Sequence, residues 1–267
     1  MEILNLPLLT IQNQNINRHP VVISLPHSGT WLPDGMRQAL LPGAILANTD
    51  WFLPALYDFL PAAGFTTLTN HVNRYAADPN RPVIVAPAGS YQRTTVYQQN
   101  TFGHPLYAAP LSLPTIEHRL AAYYHPYRTA LQRLLADKIA AFGHVTLIDL
   151  HSFAFYPGQP SIHPQDIVLG SEHDQTSSKA FRLQVTAALT TAGFTVSDNY
   201  PFRGGDITRH YGQDPRVTAL QIELNYRCYI GNTRRYGEEE LTDYDPALFA
   251  AASRRLLAIK RLLEQIQ

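Results

Sequence analysis

The segment VTLIDLHSF, residues 145–153, decides how the rest of the chain is read. In its first six residues, VTLIDL, nearly every position is apolar or β-branched, with no polar face alternating against an apolar one. A strand of that kind is buried on both sides and belongs in the middle of a parallel or mixed sheet, covered by helices on each face. It nevertheless closes on Asp149-Leu150-His151. Side chains two apart in a strand share a face, so this carboxylate and this imidazole point together, and a carboxylate beside an imidazole orients it or raises its basicity.

Working outward, six more runs have strand length and end at Pro, Gly, Asn or Asp: VVISLP (21–26), FTTLTN (65–70), PVIVA (82–86), DIVLG (166–170), FTVSD (194–198) and VTALQIEL (217–224). Between them, apolar residues recur at helical spacing over 51–60, 116–142, 176–191 and 246–266. Alternating strands and helices predict a layered α/β fold, and such sheets collect ligands at the carboxyl ends of their strands. With no internal repeat and no linker, the 267 residues are expected to form one domain, 1–267. The loop-rich stretch 73–114 is too long for a plain connection and is expected to cover a site.

Composition narrows the function. Lys+Arg and Asp+Glu are both 21, so the chain lacks the basic footprint of a nucleic-acid or acidic-membrane binder. The single cysteine, Cys228, excludes an intrachain disulfide and a thiolate-rich metal site, as expected of a reducing compartment such as the cytoplasm. The N-terminus MEILNLPLLTIQNQNINRHP lacks the basic and apolar regions of a signal peptide, and no apolar run approaches the roughly 18 residues of a membrane span.

Three strand ends carry residues able to bind a metal or move a proton: His27 in SLPHSG, Asp149 and His151 in LIDLHSF, and Glu223 in LQIELNY. His27 and His151 together suit a divalent ion, for which zinc fits best, and Asp50 in LANTDWF is the candidate third ligand. Each has a plainer reading: His27 as a turn residue, Glu223 paired with Arg227, Asp149 as a loop cap, Asp50 as the N-cap of a helix starting at Trp51. No G-x-S-x-G elbow or P-loop is present, and Cys228 has no neighbouring histidine, which leaves metal-assisted hydrolysis as the leading chemistry.

The segments PHSG, NTDWFLPALYDFL, NRYAADPNRP, TTVYQQNTFGHPLY, YYHPYR, LIDLHSF, NYPFRGGDITRHYG and QIELNY, in this order over most of the chain, resemble the N-formylglutamate amidohydrolase family. The resemblance implies a three-layer α/β/α sandwich with a mixed central sheet, phosphorylase/hydrolase-like and related to zinc carboxypeptidases and aspartoacylase. Those relatives carry a His-x-x-Glu ligand pair, a later histidine and a glutamate base. His27 matches the first histidine, His151 the later one and Glu223 the base; Thr30 stands where the ligand glutamate would be, which leaves that role to Asp50. The implied activity is hydrolysis of N-formyl-L-glutamate to formate and L-glutamate in histidine degradation. One zinc activates the water, Glu223 carries its proton, a nearby cation such as Arg203 steadies the oxyanion, and Asp149 orients from behind.

The substrate implied is a small dicarboxylate, and arginine's planar fork matches carboxylates. Arg74, Asn80 and Arg81 in NRYAADPNRP, and Arg203, Arg209 and Tyr211 in PFRGGDITRHYG, are therefore the expected substrate contacts, with Asp78 set to orient one of the arginines. The competing expectations are a related zinc amidase or carboxypeptidase with another acyl substrate, and a ligand-binding protein without catalysis.

Overall fold

The computed structural model describes residues 8–84, 91, 93–154, 165–231 and 243–266. Its strands are β1 (Leu9–Gln12), β2 (Val21–Leu25), β3 (Thr66–Asn70), β4 (Val145–Phe153), β5 (Ile167–Gly170), β6 (Val196–Asp198) and β7 (Val217–Asn225). They form one sheet in the order β1-β3-β2-β4-β7-β5-β6. The four central strands β3, β2, β4 and β7 are parallel, whereas β1 and β5 run antiparallel to their inner neighbours, so the sheet is mixed.

The helices are α1 (Asp34–Ala39), α2 (Leu53–Leu56), α3 (Phe59–Ala62), α4 (Leu113–Arg119), α5 (His125–Phe142), α6 (Lys179–Thr191), α7 (Asp206–Tyr211) and α8 (Pro246–Leu263). On one face of the sheet Ile23, Ile148, Leu150, Ile222 and Leu224 meet α2, α3, α6 and α8; on the other Val22, Leu147 and Ala219 meet α5 and α7. This is the three-layer α/β/α sandwich. Helix α8 shows how the covering works. Asp245 caps it by accepting from the amides of Ala247 and Leu248, Pro246 takes the first turn, and Ala252, Leu256, Ile259 and Leu263 recur at helical spacing to form its buried stripe.

Several expected elements differ in detail, each for a local reason. The helix over 51–60 is two single turns, α2 and α3, because Pro61 has no N–H to give the Tyr57 carbonyl and its ring would clash there. The run 116–142 starts earlier, at Leu113, and passes through a π-helical turn at Leu120–Tyr124 before α5. PVIVA is no strand at 82–84, where Thr95 Oγ1 donates to the Pro82 carbonyl and accepts from the Ile84 amide; Val85 and Ala86 lie outside the described residues. Strand β4 continues through Phe153, so His151 sits within it rather than at its last residue. The edge strand β1 and the short helices α1 and α7 have no counterpart among the expected elements.

The connections place the site. From β2 the chain leaves to β3 on one side, and from β3 it crosses back through α5 to β4 on the other. The chain therefore leaves the carboxyl ends of the parallel neighbours β2 and β4 toward opposite sides, β2 to β3 and β4 to β5, opening the crevice where open α/β sheets bind ligands.

Candidate active site

The site grows from one face of the three middle strands. In register, Ser24 on β2, Asp149 on β4 and Gln221 on β7 form one row across the sheet; His151 and Glu223 are partners in the next row out. Along this face the residues change from apolar (Val145, Leu147; Val217, Ala219) to polar (Asp149, His151; Gln221, Glu223), which marks where the packed layer ends and the crevice begins. Two residues beyond β2, His27 enters the same crevice. The PHSG turn is held tight against the β3 exit: a Cβ on Gly29 would lie 2.3 Å from the His71 carbonyl carbon, so only glycine fits.

His27, Asp50 and His151 converge there, all buried, with one potential ligand atom from each lying within 4.8 Å of the others. Asp50 Oδ2 faces His151 Nδ1 at 3.1 Å and His27 Nδ1 at 3.8 Å. The far nitrogens are tied down by other carboxylates: His27 Nε2 lies 2.7 Å from Asp78 Oδ1, and His151 Nε2 lies 2.9 Å from Asp149 Oδ2. Two imidazoles whose back N–H groups donate to carboxylates present their Nδ1 lone pairs inward, and with Asp50 this donor set fits one divalent cation. Asp50 does not cap α2, whose N-cap is Phe52 with no side-chain bond.

Each imidazole has a further support. Asp78 receives Arg74 Nε and Nη2 at 3.1 and 2.7 Å and the Tyr97 hydroxyl; Asp149 receives the Ser24 hydroxyl at 2.7 Å, which in turn pairs with the Tyr127 hydroxyl at 2.8 Å. Burial disfavours charge on Asp78, but Arg74 and His27 outweigh it and hold the carboxyl well below its ordinary range. Burial and the Arg74 charge bring His27 down to about 4, which keeps its imidazole neutral. For His151 burial acts the same way, yet Asp149 and Asp50 prevail and hold it well above the ordinary imidazole range, so a cation binding at its Nδ1 would have to displace the proton shared with Asp50.

Glu223 is buried, with Oε1 accepting from Gln221 Nε2 at 2.7 Å. Burial pushes it up to about 8, with Asp50 adding to the rise and His151 opposing it. Arg227, its alternative partner in the sequence, instead binds Asp166 at 2.7 Å. Burial also pushes the Cys228 thiol up to about 12, which removes it as a nucleophile.

A cleft of about 410 Å³ opens over these groups and is lined by His27, Asp50, His151 and Glu223 together with Arg74, Asn80, Arg81 and Arg203. The arginines differ in what they have to spend on a ligand. Arg74 lines the cleft and also braces the His27 support, with Nε and Nη2 on Asp78 and Nη1 on the Asn48 carbonyl at 3.1 Å. Arg81 has a buried Nε without a hydrogen-bond partner and lies over the Tyr91 ring. Arg203 is 60% exposed and 3.6 Å from Glu172. Asn80 receives the Ile207 amide on Oδ1 at 2.8 Å, which turns its Nδ2 to within 3.2 Å of His151 Nε2; a Cβ on Gly205 would collide with that amide at 2.2 Å.

Two expected contacts lie elsewhere. Residues 206–211 form α7, and its periodicity turns Arg209 toward Glu172 at 3.3 Å and buries Tyr211 against α5, with its hydroxyl donating to the Arg128 carbonyl. Neither lines the cleft. Conversely, the sequence reading gave Asp78 to an arginine but not to His27, and passed over Gln221, which the period-2 pattern of β7 places beside Glu223.

Residues 19–230 match the family model described as N-formylglutamate amidohydrolase. A protein of Pseudomonas aeruginosa named N-formylglutamate deformylase is 36% identical over 221 residues, 80% of this chain and 83% of that one. One of the same name from Pseudomonas putida is 34% identical over 232 residues, 84% of this chain and 86% of that one. Among solved structures, the N-formylglutamate amidohydrolase of Ralstonia eutropha superposes with a TM-score of 0.81 at 25% identity, covering 97% of both chains.

Proposed function

Because this chain belongs to the N-formylglutamate amidohydrolase family, we propose that it is a metal-dependent deformylase that converts N-formyl-L-glutamate and water to formate and L-glutamate, as a step of histidine degradation, with the chain acting as one catalytic domain. The observation that carries this reading is the pair of imidazoles, each pinned by its own carboxylate, turned onto Asp50 beside a buried glutamate. In this reading His27, Asp50 and His151 hold the ion and Asp149 and Asp78 fix the rings. A divalent cation held there, zinc by its fit to two nitrogens and a carboxylate, supplies Lewis-acid polarisation and makes a nearby water more acidic.

The protein's own groups do the rest. Glu223, whose burial raises its proton affinity, takes a proton from the attacking water and returns it to the glutamate nitrogen as the C–N bond breaks. Arg203, at the cleft wall, offers positive charge to the tetrahedral oxyanion. Arg81, with an unpartnered Nε, takes a substrate carboxylate, and Asn80 Nδ2 offers a donor beside the reacting amide. Arg203 also stands in reach of a second carboxylate at the open side of the cleft.

The test is formate release from a panel of N-formyl amino acids, before and after chelation and with zinc, cobalt or manganese restored. Activity on N-formyl-L-glutamate that chelator abolishes and metal restores is the expected result. Equal rates on glutamate and on neutral side chains, or full activity in metal-free protein, would refute it.

A further inference from the structure

The motif YYHPYR takes no part in the chemistry above, yet one stretch of helix there reaches three parts of the crevice. Pro126 cannot donate to the carbonyl of Ala122, and just before it the helix widens: the His125 amide bonds the Leu120 carbonyl, five residues back. The last residue of that turn and two residues beyond it make these contacts. Tyr124 donates its hydroxyl to the Arg81 carbonyl at 3.0 Å, and Tyr127 pairs with Ser24 behind Asp149. Arg128 Nη1 spends its two hydrogens on the Pro79 carbonyl at 3.2 Å and on Asp206 Oδ2 at 2.8 Å.

Those two partners belong to two different segments of the cleft lining. Pro79 lies in the segment that ends in Arg81, and Asp206 begins α7 directly after Arg203-Gly204-Gly205. Asn80 adds a tie through the Ile207 amide. The Arg128 guanidinium is itself fixed between the Tyr124 and Tyr211 rings, 5.8 and 4.9 Å from their centroids. It does not line the cleft, so it touches no substrate.

Resting on the deformylase reading, we propose that Arg128 is a positioning residue that sets the separation of Arg81 and Arg203, and through it the length of dicarboxylate the cleft prefers. Both ties leave one nitrogen of a guanidinium whose plane is held by the two tyrosine rings, which fixes the distance between them; a lysine ammonium on a flexible stem has no plane for the rings to hold and does not.

The experiment compares the full chain with Arg128→Lys and Asp206→Asn. It measures kcat and KM for N-formyl-L-glutamate and N-formyl-L-aspartate, with calorimetric binding of glutarate and succinate as a readout independent of turnover. Loss of one charge-assisted tie is expected to raise KM for the glutamate substrate about tenfold while kcat stays within about threefold. The preference for glutamate over aspartate, and for glutarate over succinate, narrows in parallel. The milder Asp206→Asn removes only the charge on one wall and keeps the test sound if Arg128→Lys loses stability. A length preference unchanged in both variants, or a loss in kcat with equal KM effects on both chain lengths, overturns the proposal. So does an unsubstituted protein that binds glutarate no better than succinate. A protein that selects glutarate, loses that selection in the variants and yet releases no formate would uphold the spacing role and sink the deformylase reading alone.

Discussion

Replacing Asp78 by asparagine tests whether the support behind His27 is part of the site or only part of the core. Asp78 is fully buried and is bonded by Arg74 Nε and Nη2, His27 and the Tyr97 hydroxyl. The amide keeps the shape and can still accept one hydrogen bond, but it leaves the buried Arg74 guanidinium without its counter-charge. Breaking a buried ion pair on one side costs about 3–5 kcal/mol. Two charge-assisted bonds weakened at about 1.5 kcal/mol each, with the Asn48 and Tyr97 contacts kept, place the loss near 3 kcal/mol. At roughly 2–4 °C per kcal/mol for a chain of this size class, the melting temperature falls by about 6–12 °C. Separately, loss of the carboxylate that fixes a ligating ring weakens metal binding about 10–100-fold. The two effects come apart in Arg74→Met/Asp78→Asn, where removing both charges restores part of the stability but none of the metal affinity. Thermal unfolding by circular dichroism and competition titration with a zinc chelator measure them. An Asp78→Asn protein that melts early yet binds zinc as tightly as the parent refutes the orienting role.

Three more outcomes are expected. Glu223→Gln keeps its metal content and lowers kcat about 10²–10⁴-fold, the usual worth of a positioned acid–base group; an active variant removes Glu223 from the reaction. Arg81→Ala raises KM for N-formyl-L-glutamate about 10–100-fold and leaves any turnover of N-formyl-L-alaninamide, which has no carboxylate, unchanged, because only a carboxylate in the substrate draws on the Arg81 charge. At Asp166, burial raises the carboxyl but the Thr195 amide and Arg227 outweigh it, so the folded-state pKa is depressed. Its contribution is then complete above the unfolded value of about 3.9 and lost as pH falls through the folded one. The gap in melting temperature between the parent and Asp166→Asn should close between about pH 5 and pH 2, and a constant gap contradicts the assignment.

The sheet was legible because β2, β4 and β7 are apolar on both faces, and few structures other than the middle of a covered sheet accommodate such runs. The same strands exposed His151, Asp149 and Glu223, since period-2 alternation says which neighbours share a face. Long-range partnerships leave no such trace. Asp78 meets His27 across 51 residues of chain, and Asp50 meets His151 across 101. In the sequence Arg209 and Tyr211 look available to a substrate, because no expected element covers residues 203–211. Once 206–211 coils into α7, successive side chains point around a cylinder, and these two turn to Glu172 and α5. Arg74 illustrates the opposite limit: the sequence shows an arginine near the site, but only the folded contacts show that its Nε and Nη2 hold Asp78.

The π-helical turn at Leu120–Tyr124 also sets a rule for which changes of length this chain can accept. Ile116 upstream and the turn's own Leu120 and Tyr124 pack on Ala77 and Val96; downstream Tyr127 and Leu131 seat α5 on the sheet. Deleting one residue within the turn would rotate one helix against the other by about 100°, so that only one of the two faces could stay docked. Substitutions there keep the phase, whereas a single-residue gap breaks it. Relatives that keep both packed faces should therefore align through this segment without gaps.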